Sequence, residues 1–273
     1  MYEIRRYSRQ LQTASMVPTP AVTYQGPGDI VSGALAWWGL RAYDASKIGS
    51  AAIRVKRPDT TQQDILIAAD GIIDVNDAFF TGGPYDIVKL YDQSGNGKDI
   101  DVAVVGGTYP LLLLNDNGTL PAIHTLSAME STNSSADEAQ PVSVSVVTRR
   151  ESFSGSSNQI TQFGTSGLVI QFAATANGVN LYAGVDSAPV AASDAVTHAL
   201  AGLFDDTASK ISVDGTVTTG LAPGAGSSGA GPFRFPRHAP TGVVKSWECG
   251  YWGTDISGDF AALSAQQHAI WSF

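Results

Sequence analysis

From Ala34 onward the chain is written mostly in a two-residue rhythm. "AAIRVKRP" (51–58) sets Ile53 and Val55 against Arg54 and Lys56, the alternation of a strand with one face buried and one in water. "PVSVSVVTRR" (141–150) alternates in the same way. "DILIAADGIID", "DIVKLYDQ", "NQITQFG", "GLVIQFAA", "GVNLYAGV", "THALAGLFDD", "KISVDGTVT" and "KSWECGYWG" read as further strands, bounded by Gly, Asn, Asp or Ser. Turn signals at roughly ten-residue spacing predict an all-β antiparallel sandwich. Within it, "ALAGLFDDTASKISVDGT" predicts a hairpin closed through Asp205 to Ser209. Three stretches break the rhythm. "ALAWWGLRAYDASK" predicts a helix over Trp37, Leu40 and Tyr43, "VNDAFFTG" a short helix, and "SGDFAALSAQQHAIW" a C-terminal helix with Phe260, Leu263 and Ile270 on one side. "APGAGSSGAGPF" has little capacity for packing.

The first 35 residues differ from the rest. Ile4, Tyr7 and Leu11 fall at helical spacing with Arg5, Arg6 and Arg9 beside them, a short amphipathic helix that is marginal in isolation. The prolines of "MVPTPAVTYQGPGDIVSG" then enforce an extended or turning path. We therefore divide the chain into an N-terminal arm (1–35) and one sandwich domain (36–273), with no internal repeat or linker in the latter. Three readings of the arm stand side by side: it folds back on its own domain, it docks on a neighbouring subunit as an assembly tether, or it is a frayed terminus.

Composition narrows the function. The chain has 273 residues, 43% hydrophobic and only 15% charged, enough for a sizeable core. A formal charge of -9 opposes phosphate binding and so argues against nucleic acid. No apolar run approaches a membrane span, and the opening "MYEIRRYSRQLQTAS" lacks the apolar core of a signal peptide. Cys249 is alone, which excludes an intramolecular disulfide and suits folding in a reducing cytoplasm. In a strand between Trp247 and Tyr251 its thiol is expected to be buried and inert. His124, His198, His238 and His268 show no metal-ligand spacing, and no nucleophile elbow, phosphate loop or nucleotide fingerprint is present. Neither a metal nor a cofactor is expected.

The stretch richest in polar groups is "KLYDQSGNGKDI" (89–100). Asp92 and Ser94 are placed to accept hydrogen bonds from the amides that follow, while Gly95, Asn96 and Gly97 tolerate positive φ. Such a turn satisfies its own backbone, and we read it as a structural staple before a ligand contact or a catalytic loop.

The order "WWGLRAYDASKIGSAAIRVKRPDTTQQDI" then "VKLYDQSGNGKDI" resembles the catalytic domain of the family-54 α-L-arabinofuranosidases, where "LRAYS", "AIRVRR" and "YDQSGNGND" open a concanavalin A-like jelly roll of two antiparallel sheets. Specific resemblance covers roughly residues 37–125. Similar segments occur in bacteriophage and prophage proteins of no known enzymatic activity. In the hydrolase family the nucleophile is a glutamate on a mid-domain strand, and the acid/base is an aspartate in a Gly-Gly-Asp-Asn segment before the last strands. This chain departs from that pattern: no Asp or Glu lies between Glu151 and Asp186, and none between Asp214 and Glu248. Arg237 and His238 stand where the acidic segment belongs, and the family's adjacent-cysteine disulfide has no counterpart. Glu248 resembles a late-strand glutamate that is not catalytic. A different pair, such as Asp186 with Asp255, has no motif behind it.

What the resemblance implies is a non-enzymatic component of a bacteriophage or prophage virion: a decoration, fibre or tail-associated protein. Its partners would be other virion proteins through the arm, in a homo-oligomeric assembly, and host-surface glycans are candidate ligands. For the latter, Trp252, Tyr182 and Tyr109 are the rings of interest, with core packing as the competing role. The alternatives are an arabinofuranosidase-like hydrolase and a free carbohydrate-binding module.

Overall fold

A computed structural model describes residues 24–102, 109–117, 120–125, 129–130, 136–152, 158–165, 167–235 and 243–273. The arm positions Ile4, Arg5, Arg6, Tyr7, Arg9 and Leu11 lie outside the described residues, as do Arg237 and His238. After a single helical turn, α1 (Pro27–Ile30), come β1 (Ala36–Gly39), β2 (Ala51–Lys56), β3 (Gln62–Leu66), β4 (Asp86–Leu90), β5 (Ile100–Asp101), β6 (Leu111–Asn117), β7 (Leu120–Thr125) and β8 (Val142–Arg150). They are followed by β9 (Asn158–Phe163), β10 (Leu168–Phe172), β11 (Gly178–Tyr182), β12 (Val190–Ala191), β13 (His198–Phe204), β14 (Ser209–Val213), β15 (Thr216–Leu221), β16 (Phe233–Arg234), β17 (Val244–Trp252) and the helix α2 (Phe260–Trp271).

The strands make two antiparallel sheets. The larger runs β15-β14-β13-β8-β17-β7-β6-β4-β2-β3, with β1 paired to β17 and β5 to β4; the smaller runs β12-β11-β10-β9-β16. The expected all-β sandwich of two antiparallel sheets is therefore the observed architecture. One apolar layer lies between the sheets, where Ile170, Phe172 and Leu181 meet Trp38, Val144, Val146 and Tyr251. The sheets approach closely at Gly202 of β13: a Cβ there would stand 2.7 Å from Leu181 Cδ2.

A second layer covers the outer face of the large sheet. Trp37, Ala201, Leu203 and Trp252 pack there under Phe260 and Leu263 of α2 and under Val31. This double burial explains the first correction. "AWWG" is a strand, β1, and not a helix, because Trp38 enters the inter-sheet core while Trp37 enters the outer layer. A strand buried on both faces loses its apolar–polar alternation. Gly250, facing Trp37, leaves room for that indole, since a Cβ would come 2.3 Å from Trp37 Cε3.

Two other expectations change. "VNDAFFTG" forms turns, not a helix: Asp74 Oδ1 accepts from Asn76 N at 3.0 Å and Asp77 Oδ1 from Phe79 N at 2.7 Å, so the side chains hold the backbone in local loops. "KISVDGTVT" is two strands, β14 and β15, joined through Asp214 and Gly215 at φ 51 and 82, the primed-turn geometry of a tight hairpin. The hairpin through Asp205–Ser209 and the C-terminal helix occur where expected, but α2 buries Ser264 and Gln267 alongside Phe260 and Leu263, and Ile270 is only half-buried. Of the arm as drawn from sequence, residues 24–35 pack on the sandwich. Tyr24 donates its hydroxyl to Ala42 O at 2.6 Å, and Gly28 N donates to Tyr43 O at 2.7 Å.

Candidate functional site

The polar turn after β4 ties strands together. Asp92 Oδ1 accepts from Trp37 N (3.1 Å) and Ser94 N (2.9 Å), and Oδ2 accepts from Ser94 Oγ and Lys98 N (both 2.9 Å). All four lone-pair directions of the carboxylate are thus spent inside the protein. Asn96 Nδ2 donates to Ala34 O and Leu35 O, and Trp38 Nε1 donates to Lys98 O. Positive φ falls on Gly95 (93°) and Gly97 (67°); Asn96 contributes its side-chain amide instead. Gln93, buried beside it, donates to Gly39 O and accepts from Tyr43 N. The bonds between Asp92 and Trp37, between Asn96 and both Ala34 and Leu35, between Trp38 and Lys98, and between Gln93 and both Gly39 and Tyr43 reach β1 or its flanks, so the turn fixes a strand whose ladder partner among the described residues is β17.

A different surface gathers groups suited to polyol recognition. Residues opposite one another in an antiparallel ladder share a face. The register Gln162↔Val169↔Tyr182 and Gln159↔Gln171↔Asn180 therefore places four amide side chains and a tyrosine on one face of the small sheet, opposite the inter-sheet core; Gln162, Gln171 and Asn180 are each only 4% exposed there, and Gln159 and Tyr182 are half-buried. Arg234, opposite Gln162 on β16, joins them. Gln171 Nε2 donates to Asp186 Oδ1 at 2.6 Å. Arg234 bridges Glu130 Oε1 and Gln162 Oε1 (2.8 Å), and Gln162 Nε2 donates to Gly164 O at 2.9 Å. Asn180 donates only a long bond to Ser187 O (3.5 Å), and its Oδ1, buried, has no partner. Fixed amides, a guanidinium and an aromatic ring are the usual tools for planar, bidentate recognition of hydroxyl pairs.

Of the rings named from sequence, Tyr182 alone stands on this face. Trp252 is 1% exposed in the layer beneath α2 and offers no face to a ligand; this corrects the expectation for that residue. Tyr109 is half-buried, with Lys56 Nζ 3.9 Å from its ring centroid.

Among the described residues, carboxylate couples on both sheets bear on hydrolytic chemistry. On the large sheet, Asp99, just before β5, and Asp101, within it, share the Lys89 ammonium at 2.9 and 3.4 Å. On the small sheet, the path from Asp186 to Glu130 crosses β11, β10, β9 and β16, five spacings of about 4.8 Å or roughly 24 Å between backbones. Side chains of their length close only part of that, well short of the roughly 5–9.5 Å that glycoside hydrolysis requires. On the large sheet, Asp116 and Glu151 are close because both meet Arg149, at Nη2 (2.9 Å) and Nε respectively. Lys245 bonds the remaining oxygen of each. All four carboxylate oxygens of this couple are thus held by cations. Asp255, the other sequence candidate, accepts from Ser257 N at 2.7 Å and is bound up in its own turn.

Cys249 sits in the core, and His198 and His268 make contacts that tie elements of the fold together. Burial pushes the Cys249 thiol well above its ordinary range, as expected for an inert side chain in the core. His198 Nδ1 lies 2.6 Å from Asp214 Oδ2, and His268 Nε2 lies 3.3 Å from Asp214 Oδ1, so the β14–β15 turn is bonded to both β13 and α2. Among the described residues no group of three or more His, Cys, Asp and Glu side chains could hold a metal ion.

The amide-rich face was missed in the sequence because each residue is ordinary by itself. The available signal was spacing: Gln162, Gln171 and Asn180 recur every nine residues across three successive strands.

No protein-family model matches the chain, and no curated protein matches its sequence. Solved structures do. An α-L-arabinofuranosidase of glycoside hydrolase family 54, soaked with a cyclic sulfate inhibitor, is similar over 89% of this chain at a TM-score of 0.65 and 14% identity. The chain spans 64% of that protein's length. The binding domain of botulinum neurotoxin serotype G (TM-score 0.49, 12% identity, 66% of this chain and 49% of that one) and Trypanosoma rangeli sialidase (0.48, 12%, 82% and 37%) overlap too loosely to carry an argument. At such identity the first likeness speaks to architecture alone, and it agrees with the two antiparallel sheets found here: the chain shares the two-sheet sandwich fold of that hydrolase.

Proposed function

We propose that this chain is a non-catalytic structural component of a bacteriophage or prophage particle, a decoration, fibre or tail-associated protein, whose small sheet binds a glycan of the host surface. The observation that carries the reading is the composition of the outward face of β9, β10 and β11. It offers the half-buried side chains of Gln159, Arg234 and Tyr182, held over the buried amides of Gln162, Gln171 and Asn180, while Asp186 and Glu130 stand too far apart to flank one glycosidic bond. Binding without cleavage is what such a face supports. The particle context rests on the resemblance of residues 37–125 to segments of phage and prophage proteins.

Two measurements test this together. Purified protein should release no 4-nitrophenol from its α-L-arabinofuranoside above a heat-killed control, and the chain should be detected by mass spectrometry in purified particles from the strain that encodes it. Turnover would replace the reading with a hydrolase. Absence from particles, with glycan binding intact, would leave a free carbohydrate-binding module.

A further inference from the structure

A pocket of about 460 Å³ opens beside the C-terminal helix, remote from the amide-rich face. Gln266, Ala269 and Ile270 of α2 form one wall, Ala69 and Asp70 of the turn after β3 the other, and Tyr24 and Gln25 close the end. These walls are fixed. The Tyr24 ring lies so close over Gly71 that a Cβ there would meet Tyr24 Cε2 at 1.9 Å. Gln266 accepts from Arg41 Nη1 at 2.6 Å and donates to Gln25 O. A second concavity, lined by Asp70, Asp74, Asn76, Leu120 and Pro121 among others, shares Asp70 with the first. An apolar hollow thus runs into an acidic strip.

The sequence contains a segment with the complementary pattern. Ile4, Tyr7 and Leu11 recur at helical spacing beside Arg5, Arg6 and Arg9, and this segment joins the fold at Tyr24, in the wall of the pocket itself. We infer that the pocket seats residues 1–11 of a second copy of this chain, with Ile4, Tyr7 and Leu11 against Ala269 and Ile270 and the arginines facing Asp70 and Asp74. Residues 12–23, with Pro18 and Pro20 among them, can span up to roughly 40 Å at about 3.3 Å per residue, enough for the arm to reach a neighbouring copy. Reciprocal exchange of two such arms closes a two-fold dimer. The inference is independent of glycan binding.

Sedimentation velocity of the full chain over a wide concentration range tests it. The expected result is reversible dimerisation. Ala269→Arg, on an exposed helix position, fills the seat and should raise the dimer dissociation constant about tenfold or more. Asp70→Asn should weaken it less, since the amide oxygen can still accept from Ile72 N. Arg5→Glu/Arg6→Glu/Arg9→Glu should act like the seat variant. Mixing that triple variant, which keeps its seat, with Ala269→Arg, which keeps its arm, should restore a one-to-one complex. A wild-type chain that stays monomeric throughout, or an Ala269→Arg chain that dimerises as well as wild type, overturns the inference. So does an arm variant that lowers the melting temperature of a monomer, which would place the arm on its own domain.

Discussion

Arg41 and Glu248 meet edge to edge across the β1–β17 boundary, Glu248 Oε2 on Arg41 Nε and Oε1 on Nη2 (2.6 Å), with neither side chain exposed. The same carboxylate accepts from Gln267 Nε2 and Trp271 Nε1, both at 2.9 Å. Two charges have left water, and four donors, two from Arg41 just after β1 and two from α2, converge on one carboxylate. Removing one partner strands the other, so Glu248→Gln should cost about 3–5 kcal/mol in urea unfolding. The double variant Arg41→Met/Glu248→Met should cost less than the sum of the single changes, because no lone charge remains. Equal additivity would mean that the pair does not act as a unit.

Asp92 makes a second stability prediction, and it separates scaffold from ligand site. Asp92→Ala removes the acceptor for Trp37 N, Ser94 N, Ser94 Oγ and Lys98 N. A loss of about 3 kcal/mol is expected, the scale of one or two charge-assisted bonds after water repairs the rest. Glycan affinity, measured on the folded fraction, should not change. A stable variant with lost binding would reassign this turn to recognition.

Histidine 198 predicts a pH dependence. Burial opposes its charged form, but the hydrogen bond and charge of Asp214 outweigh burial and raise its pKa; Asp214 is correspondingly held below the usual carboxylate range despite its own burial. A raised histidine pKa gives stability that is complete below the unfolded value of about 6.5 and is lost as pH rises through the folded value. The depressed Asp214 gives stability present above about 3.9 and lost as pH falls through its folded value. The pair is therefore most stabilising between about pH 4 and pH 6.5. His124 opposes this trend, since burial and Lys245 depress its pKa and acidification then favours the unfolded chain. Calorimetry should isolate the His198 contribution: the melting-temperature gap between wild type and His198→Gln should narrow from pH 6 to pH 8.5. A gap that widens over that range contradicts the assignment.

The half-exposed strands were legible because one face met water. In β2, Ile53 and Val55 are fully buried and Arg54 and Lys56 are partly exposed, so the period was plain. Legibility failed where both faces were covered, as at Trp37 and Trp38, and where aspartates captured the backbone, as at Asp74 and Asp77. The C-terminal helix was recognised, but not what its inner face would hold. Gln267 is buried because it bonds Glu248 and Ser145 Oγ, a requirement set by β8 and β17 that hydrophobic periodicity does not encode. The small-sheet face was hidden for a related reason, since strand register alone brings Gln171 opposite Asn180.

Tyr182 provides a local test of that face. Tyr182→Ala removes a half-buried ring at its rim, and a fold largely carried by Leu181 and Val179 should survive. Glycan affinity should fall about tenfold, the scale of one aromatic contact. Unchanged affinity would exclude stacking at this edge.

The most direct measurement is a glycan array probed with the wild-type protein and with Gln159→Leu, a half-buried position of the same face, followed by mass spectrometry of the bound sugars. The account predicts that wild type retains particular glycans intact and that Gln159→Leu retains none of them. Shortened sugars, or equal retention by the two proteins, would contradict it.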